Sequence, residues 1–165
     1  MNSQQDRFLI RPIAPEDNTA MARIIRGVMT AHGASGQGFS IHDAEVDDMY
    51  GAYQAARSAY FVIERKGEVL GGAGIAPLEG GDAQTCELRK MYFLPEARGK
   101  GLADKITDRC LQAAKQYGYR RCYLETIVEM EAANRFYRRY GFRPLVSAMG
   151  STGHNACSAF YLLSW

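Results

Sequence analysis

The sequence lacks any apolar run of the length that a membrane-spanning helix needs, which is about 18 to 20 residues. Its beginning, MNSQQDRFLIRP, also lacks the apolar stretch of a secretory signal peptide. We therefore expect a cytoplasmic protein that has no membrane segment and no membrane partner.

The cysteines lack the spacing of a metal site or a redox motif. There are four, and no two of them form a CxxC pair. The chain is also too long and too poor in cysteine to be a small disulfide-stabilised domain. We expect each thiol to be reduced and to pack as a small buried apolar side chain, and we expect no metal. The four positions are Cys86, Cys110, Cys122 and Cys157.

A strong charge of one sign is absent too, because the net charge is only +2 at pH 7. No long basic run is interleaved with stacking aromatic residues, so we expect no nucleic-acid partner. The basic residues nevertheless form local groups, which suit either a compact polyanionic ligand or a solvated helix surface. These groups are Arg89, Lys90, Arg98 and Lys100, then Arg120 and Arg121, then Arg135, Arg138, Arg139 and Arg143.

The sequence does contain enough apolar material for one folded domain. Apolar residues make up 47% of the chain and charged residues 23%, which is the balance of an ordered globular protein. A length of 165 residues is sufficient for one sizeable core and too short for two ordinary domains. We therefore expect residues 1–165 to form a single domain.

The N-terminal half predicts a strand, two helices and a hairpin. The helix that follows Asp17 has an apolar stripe that ends near Gly33. The glycine-rich segment 33–38 that comes next is either a mobile substrate loop or a plain connector. The other predicted elements are a strand at 8–11, a second helix at 43–57, and hairpin strands at 60–63 and 69–77.

The C-terminal half alternates between strand and helix patterns. The predicted elements are strands at 85–94 and 121–127, helices at 102–117 and 131–140, and two last strands centred near Val146 and Phe160. This order predicts a mixed α/β domain with a right-handed crossover. We expect a central twisted sheet of six or seven strands flanked by about four helices.

A glycine-rich turn joins the strand at 85–94 to the next helix, within the segment LPEARGKGLA. The first backbone N–H groups of a helix have no partner inside the helix, and the helix dipole favours negative charge there. Gly99 and Gly101 allow the backbone to turn tightly and to approach an oxyanion closely. Arg98 and Lys100 can add charged contacts at the rim. The turn therefore suits a phosphate or pyrophosphate group.

The turn is not a Walker P-loop, because the GxxxxGK[ST] spacing is absent and no Ser or Thr is placed to hold magnesium. On this segment alone, a glycine-rich helix start without a ligand is an equally good interpretation. A second segment further on decides between the two. It runs from the strand at 121–127 into the helix sequence EAANRFYRRYGF.

Together the two segments resemble the GNAT superfamily of N-acetyltransferases. The shared pattern is an (Arg/Gln)-x-x-Gly-x-(Gly/Ala) turn after a long strand, then a helix that carries a tyrosine, here Tyr137, and then Gly141 and Phe142. The specific motifs lie between residues 87 and 142, although the order of elements extends the resemblance over nearly the whole chain. The resemblance implies that acetyl-CoA is the cosubstrate and N-acetyl transfer the reaction.

The resemblance also assigns residues to the cosubstrate. The backbone of Met91, Tyr92 and Phe93 would pair with the pantetheine arm where the strand at 121–127 splays away. Many members carry an asparagine seven positions before the tyrosine, where this chain has Met130. Asn134 either contacts CoA in its place or is a merely exposed polar residue. The turn that would hold the pyrophosphate consists of Arg98, Gly99, Lys100, Gly101, Leu102 and Ala103.

Glu87 is the candidate general base. Alkyl amines have a pKa of about 10 and are mostly protonated at neutral pH, so the reaction needs a proton acceptor, direct or through water. Strand alternation predicts that Glu87 shares a face with Arg89, Met91 and Phe93. The alternative for a glutamate on a strand is a solvated or ion-paired side chain.

Tyr137 is the candidate general acid, because a donor beside the sulfur helps a thiolate of pKa about 8.5 to leave. The helix pattern alone favours a core tyrosine, and the resemblance reverses that preference. His154 is a candidate at the acceptor site that could shuttle a proton, although loop histidines are more often incidental. No cysteine has a histidine close in sequence, so direct attack is favoured over an acetyl-cysteine route.

The acceptor is expected to be a small-molecule amine or a peptide amine, selected by the loops at 33–42 and 147–156. A homodimer is compatible with the sequence. Two other classes of function stay open. One is a non-catalytic acyl-CoA-binding sensor or interaction module, against which the presence of both Glu87 and Tyr137 argues, and the other is a basic module for nucleic acid or polyphosphate.

Overall fold

A computed structural model describes residues 6–165, which form a mixed α/β domain. Nearly every predicted strand and helix is present within a residue or two of its expected bounds. The strands are β1 (Leu9–Pro12), β2 (Ala59–Arg65), β3 (Glu68–Pro77), β4 (Thr85–Phe93), β5 (Arg121–Thr126), β6 (Arg143–Leu145) and β7 (Ala159–Ser164). The helices are α1 (Asn18–Ala31), α2 (Met49–Ala52), α3 (Leu102–Gln116) and α4 (Glu131–Tyr140).

The seven strands form one sheet in the order β1-β2-β3-β4-β5-β7-β6. All neighbouring strands are antiparallel except β4 and β5, which run parallel and are connected through α3. The sheet, its mixed character and its flanking helices confirm the predicted fold class. No helix in the described part of the chain is long and apolar enough to cross a membrane.

Two apolar clusters cover the two faces of the sheet. The first lies between the sheet and α3 and α4, with Ile106 and Cys110 of α3 completely buried against it. The second lies under α1 and α2, with Met21 and Ile25 of α1 completely buried. The side chains of any one strand are thereby divided between an α3 side and an α1 side.

The pairing between β4 and β5 is incomplete, and this opens the sheet. The register joins only Thr85 with Arg121, Cys86 with Cys122, and Glu87 with Tyr123. Beyond Glu87 the two strands diverge, so the end of β4 has no strand beside it on this side. The sequence resemblance implies this splay, and the structure shows it.

A β-bulge interrupts β4 and corrects the predicted alternation of its side chains. Gly74 pairs with Arg89 but Gly72 pairs with Tyr92, so two residues of β4 oppose one residue of β3. Lys90 takes up the extra residue with a left-handed backbone, φ +52°. Because the bulge reverses the alternation, Glu87 and Arg89 do not share a face with Met91 and Phe93, which pack on the α3 side.

The predicted helix at 43–57 is wrong. The segment instead contains 3-10 turns at Ser40–His42 and Ala44–Asp47 and then the single turn of α2. The Asp48 side chain accepts from the Gly51 N–H at 2.9 Å and so caps the start of α2, which places the residues before Asp48 outside the helix. The strand expected near Val146 ends one residue earlier, and Val146 itself is exposed.

Candidate active site

The turn between β4 and α3 presents a row of free backbone donors. Gly99 and Gly101 have positive φ values of 69° and 74°, and Gly101 is the N-cap of α3. Within the described residues, the backbone N–H groups from Gly99 to Asp104 have no backbone acceptor. A Cβ placed on Gly99 or Gly101 would meet open space. The donors therefore border a volume that an anionic group can enter, which fits a diphosphate.

The two basic residues of the turn lie at its rim. The Arg98 guanidinium folds back and donates to the Phe93 carbonyl from Nε at 3.1 Å and from Nη2 at 2.8 Å. Lys100 extends towards the ring of Phe8, with its Nζ 6.0 Å from the ring centroid. Both side chains are exposed. Arg98 thus stabilises the turn itself, and Lys100 lies outside the cleft lining.

A cleft of about 380 Å³ begins at this turn and follows the gap between the splayed strands. One wall is the end of β4, the floor is the turn and the start of α3, and the other wall is α4 with the residues that precede it. The predicted cosubstrate residues in its lining are Met91, Tyr92, Phe93, Arg98, Gly99, Gly101, Leu102 and Ala103, together with Tyr137 and Met130.

Tyr137 lies in the wall of the cleft and in the core at once. Its ring packs against Phe142 and Tyr161 at centroid distances of 5.9 and 5.7 Å. The residue is 8% exposed, and its hydroxyl has no hydrogen-bond partner among the described residues. Burial raises the pKa of Tyr137 well above its ordinary value. The side chain is therefore a neutral, rigidly held hydrogen-bond donor.

A second, smaller cavity of about 50 Å³ adjoins the cleft on the α1 side of the sheet. Tyr92 and Met130 line both cavities and so form the boundary between them. The lining of the smaller cavity is rich in charge, with Glu87, Arg89, Lys90, Glu125 and His154 in its wall. We call it the acceptor cavity.

Glu87 is buried in the acceptor cavity and paired with one cation. Its carboxylate accepts from Arg89 Nε at 2.5 Å, and the residue is 3% exposed. Burial raises the pKa of Glu87, while the Arg89 guanidinium opposes this shift without cancelling it. A carboxylate with a raised pKa is a better proton acceptor than an exposed glutamate.

Glu125 and His154 lie next to Glu87. One side-chain nitrogen or oxygen atom from each of the three residues lies within 4.8 Å of the other two. The Thr152 hydroxyl donates to Glu125, and the imidazole Nδ1 of His154 is 3.7 Å from a Glu125 oxygen. The structure thus brings the predicted base and the predicted loop histidine together.

The sequence and its fold have recognisable relatives. The chain matches the Acetyltransferase (GNAT) family over residues 26–142. The chain belongs to the GNAT acetyltransferase family. It is also 43% identical to an uncharacterized N-acetyltransferase of Escherichia coli (strain K12), YjgM, over 150 residues that cover 90% of each chain. The family uses acetyl-CoA, and the protein is accordingly an N-acetyltransferase with acetyl-CoA as cosubstrate.

Solved structures show the same fold at low sequence identity. A GNAT-family acetyltransferase from Staphylococcus aureus Mu50 is similar with a TM-score of 0.83 at 16% identity, over 96% of this chain and 99% of that one. The structure of yncA from Salmonella typhimurium with its cofactor acetyl-CoA has a TM-score of 0.74 at 22% identity, over 95% of this chain and 93% of that one.

One candidate of the GNAT resemblance lies away from the cleft. The Asn134 amide donates to the carbonyls of Ile127 and Met130 at 2.9 and 2.8 Å, and its oxygen accepts from the Tyr161 hydroxyl at 2.6 Å. The side chain is buried and its hydrogen-bonding groups are used, so neither a CoA contact nor an exposed polar role describes it. Asn134 instead fixes the start of α4 to the end of β5.

The predictions from the sequence do not include four polar residues of this site, which are Asp43, Glu45, Lys90 and Glu125. Glu125 has a usable signal, because parallel pairing of Glu87 with Tyr123 places residue 125 on the same side of the sheet. Lys90 has none, because nothing in its neighbourhood predicts a bulge. Cys157 corrects a further expectation: it is half-buried and lines the acceptor cavity, whereas Cys86, Cys110 and Cys122 are buried as expected.

Proposed function

We propose that the protein transfers the acetyl group of acetyl-CoA to a primary amine by direct attack, with Glu87 as general base and with Tyr137, the candidate general acid, acting as hydrogen-bond donor to the departing thiolate. The observation that carries the proposal is the junction of the two cavities. Tyr137 lines the cleft and Glu87 lines the acceptor cavity, and the cavities meet at Tyr92 and Met130. An amine and a thioester held at this junction would lie between the carboxylate of Glu87, which accepts a proton, and the hydroxyl of Tyr137, which donates a hydrogen bond.

The residues that would hold acetyl-CoA fit its chemistry. The free N–H groups from Gly99 to Asp104 are suited to the pyrophosphate. The backbone of Met91, Tyr92 and Phe93, which faces the strand gap, is suited to the amide groups of the pantetheine arm. Acetyl-CoA supplies an activated thioester, and the protein supplies position and charge.

Glu87 would take a proton from the bound ammonium group, directly or through one water, so that the neutral amine can attack the thioester carbonyl. The amine has a pKa of about 10, so proton removal is costly at pH 7 and benefits from a buried carboxylate of raised pKa. Arg89 keeps Glu87 oriented and ionised at the start of the reaction. The proton then reaches solvent through the polar wall of the cavity.

Tyr137 would stabilise the departing thiolate. Because burial raises its pKa far above that of a thiol, complete proton transfer from the hydroxyl is unfavourable, whereas a hydrogen bond to the sulfur is strong. The hydroxyl is free to make this bond since no described residue occupies it. The thiolate can then take its proton from solvent.

The acceptor would be a small-molecule or peptide amine that enters by its amino end. A volume of about 50 Å³ has room for the reacting amino group and little more. The remainder of the acceptor must lie against the loops around residues 33–42 and 147–156. Their side chains would therefore decide which amine is used.

The test is a thiol-release assay of the purified protein with acetyl-CoA against a panel of amines and peptides. We expect Glu87→Gln to lower kcat/KM by about 10²-fold to 10⁴-fold and Tyr137→Phe by about tenfold to a hundredfold, with the KM for acetyl-CoA nearly unchanged. Glu125→Gln, beside Glu87, should have a smaller effect if Glu87 is the base.

Two matched variants serve as controls. Glu68→Gln alters an exposed glutamate at the hairpin, and Tyr140→Phe alters a tyrosine of α4 whose hydroxyl instead contacts Asp108. Both should retain wild-type activity. Slow thiol release that no acceptor stimulates, and that neither Glu87→Gln nor Tyr137→Phe changes, would instead indicate the acyl-CoA-binding sensor.

A further inference from the structure

The carboxylate of Asp43 joins two cations that come from distant parts of the chain. Lys90 Nζ lies 2.6 Å from Asp43 Oδ2, and His154 Nε2 lies 3.0 Å from Oδ1 and 2.9 Å from Oδ2. Lys90 also contacts Glu45 Oε1 at 2.8 Å. The Lys90 side chain is 1% exposed, so these contacts occur in an environment with little solvent screening.

This cluster lies where two loops meet over the acceptor cavity. The loop that carries Asp43 also contacts the loop of His154 through the backbone, since the Ala156 N–H donates to the Gly38 carbonyl at 3.2 Å. The contact is close, because a Cβ on Gly38 would overlap the Asn155 side chain. Both loops supply lining residues, and the bulge at Lys90 supplies the wall beneath them. The position of Asp43 is therefore coupled to the shape of the cavity.

The same contact sets the orientation of the His154 ring. With Nε2 against Asp43, the opposite nitrogen Nδ1 points towards Glu125 at 3.7 Å and lies in the group that includes Glu87. The ring thus bridges the loop carboxylate and the carboxylates of the cavity. Donation from the ring to the Asp43 carboxylate, helped by the nearby Glu125 carboxylate, outweighs the opposing effect of burial and raises the pKa of His154 to about 9.

We propose that Asp43 is a positioning residue of the acceptor site, which holds His154 as a cation beside Glu87 and Glu125 and holds the two acceptor loops against the bulge of β4. This inference rests on the proposed function of Glu87 as the base. The cation offsets the repulsion between two neighbouring carboxylates and so keeps Glu87 ionised and able to accept a proton. The ionisable groups that face His154 or share its cavity are Asp43, Glu45, Glu87, Glu125, Arg89, Lys90, Tyr92 and Cys157.

A histidine titration by NMR tests the first half of the proposal without any acceptor. His154 is distinguished from His32 and His42 by the signal that His154→Gln removes. We expect His154 to titrate near pH 9 in the wild type and at least about one unit lower in Asp43→Asn. The matched control is Asp47→Asn, an exposed aspartate of the same loop that pairs with Arg26, and it should leave the titration unchanged. An unchanged value in Asp43→Asn overturns the proposal.

The pH dependence of kcat/KM with the amine found in the acceptor panel tests the second half. His154→Gln removes a positive charge near Glu87, so the pKa of Glu87 rises and the acid limb of the profile moves up by about one pH unit. The KM for acetyl-CoA should stay within about twofold. A uniform loss of activity with an unmoved acid limb would show a purely structural role and would overturn the proposal.

The two experiments separate this inference from the proposed function. If the panel yields no acceptor, the proposed function fails while the histidine titration still decides whether Asp43 holds His154 as a cation. If Asp43→Asn does not fold, the pH profile of kcat/KM for His154→Gln decides, because the proposal requires its acid limb to move. The proposal is also refuted if the pKa of His154 falls in Asp43→Asn while the acid limb of the pH profile does not move in His154→Gln. In that case Asp43 would hold His154, but His154 would not act on Glu87.

Discussion

The two halves of the active site are built in opposite ways. The cosubstrate cleft measures about 380 Å³, and about half of its lining residues lie in the contiguous stretch 91–104, which carries the free backbone N–H groups. The acceptor cavity measures about 50 Å³ and is bordered by charged side chains from three separate segments. Asp43 and His154, which make contact there, are 111 residues apart in the chain.

Under the proposed function, the difference follows from what each half would have to recognise. A diphosphate and a pantetheine arm offer the same acceptors and amides in every reaction, and backbone N–H groups bind them whatever the neighbouring side chains are. An amine acceptor is distinguished by charge and shape, which only side chains supply. The acceptor half therefore depends on ion pairs that can be lost one at a time, and its stability is the more vulnerable.

The largest expected effect on stability comes from Lys90→Met. The substitution keeps the volume but leaves Glu45 beside an apolar wall without its cation and leaves Asp43 with His154 alone. Removing one partner from a buried ion pair costs about 3 kcal/mol or more of the free energy of unfolding. Urea denaturation with an unchanged m-value measures the loss. A loss below about 1 kcal/mol would mean that the acceptor half is no more dependent on its ion pairs than an exposed surface is.

The contrast also explains which parts of the site the sequence predicts. The glycine turn and the Tyr137 helix are local patterns. Residue spacing alone predicts that the turn ends a strand and opens a helix, and that Tyr137 lies on a helix. The sheet follows because strand and helix patterns alternate clearly after Thr85. Each of these predictions depends on residues that are near one another in the chain.

The acceptor half depends on events that local patterns do not contain. The bulge at Lys90 shifts the alternation of β4 and places Met91 on the opposite face from Glu87. The segment around Asp43 has the apolar spacing of a helix, yet its aspartates form turns and a long-range ion pair instead. Tertiary contacts decide both outcomes, and a single sequence gives no indication of them.

The next effect is a loss of stability at alkaline pH. The pKa of His154 is raised from 6.5 to about 9 in the folded protein. Its contribution to the free energy of unfolding is therefore complete below about pH 6.5 and is lost as the pH rises to about 9. Allowing for partial solvent exposure, the contribution is about 2 kcal/mol. Unfolding free energies measured from pH 6 to 9.5 should fall in the wild type by about this amount more than in His154→Gln. Parallel curves would contradict the prediction.

A smaller effect is expected in the cosubstrate half from Gly101→Ala. The Cβ would project into the open space beside the free N–H groups, so we expect the Kd for CoA to rise about tenfold, measured by calorimetry. Gly118→Ala is the matched control, because Gly118 has a positive φ of 86° and open surroundings but ends α3 far from the turn. Both variants should lose about 1 kcal/mol of stability, and only Gly101→Ala should weaken CoA binding. If both variants had the same Kd for CoA, the diphosphate would not lie at the turn around Gly101.

The smallest effect is expected from Arg139→Gln, which removes an ion pair between the α4 wall and the floor of the cleft. Arg139 of α4 contacts Asp104 of α3 through two hydrogen bonds of 3.3 and 3.0 Å, somewhat longer than the Lys90 contacts of 2.6 and 2.8 Å. The side chains are 64% and 40% exposed, so water screens their attraction and the ordering of two long side chains offsets much of the remainder. We expect a change in unfolding free energy below about 0.5 kcal/mol and a Kd for CoA within about threefold of the wild type. A loss comparable with that of Lys90→Met would show that burial is not what separates the two halves, because both are pairs of a basic side chain with a carboxylate and their main difference is exposure.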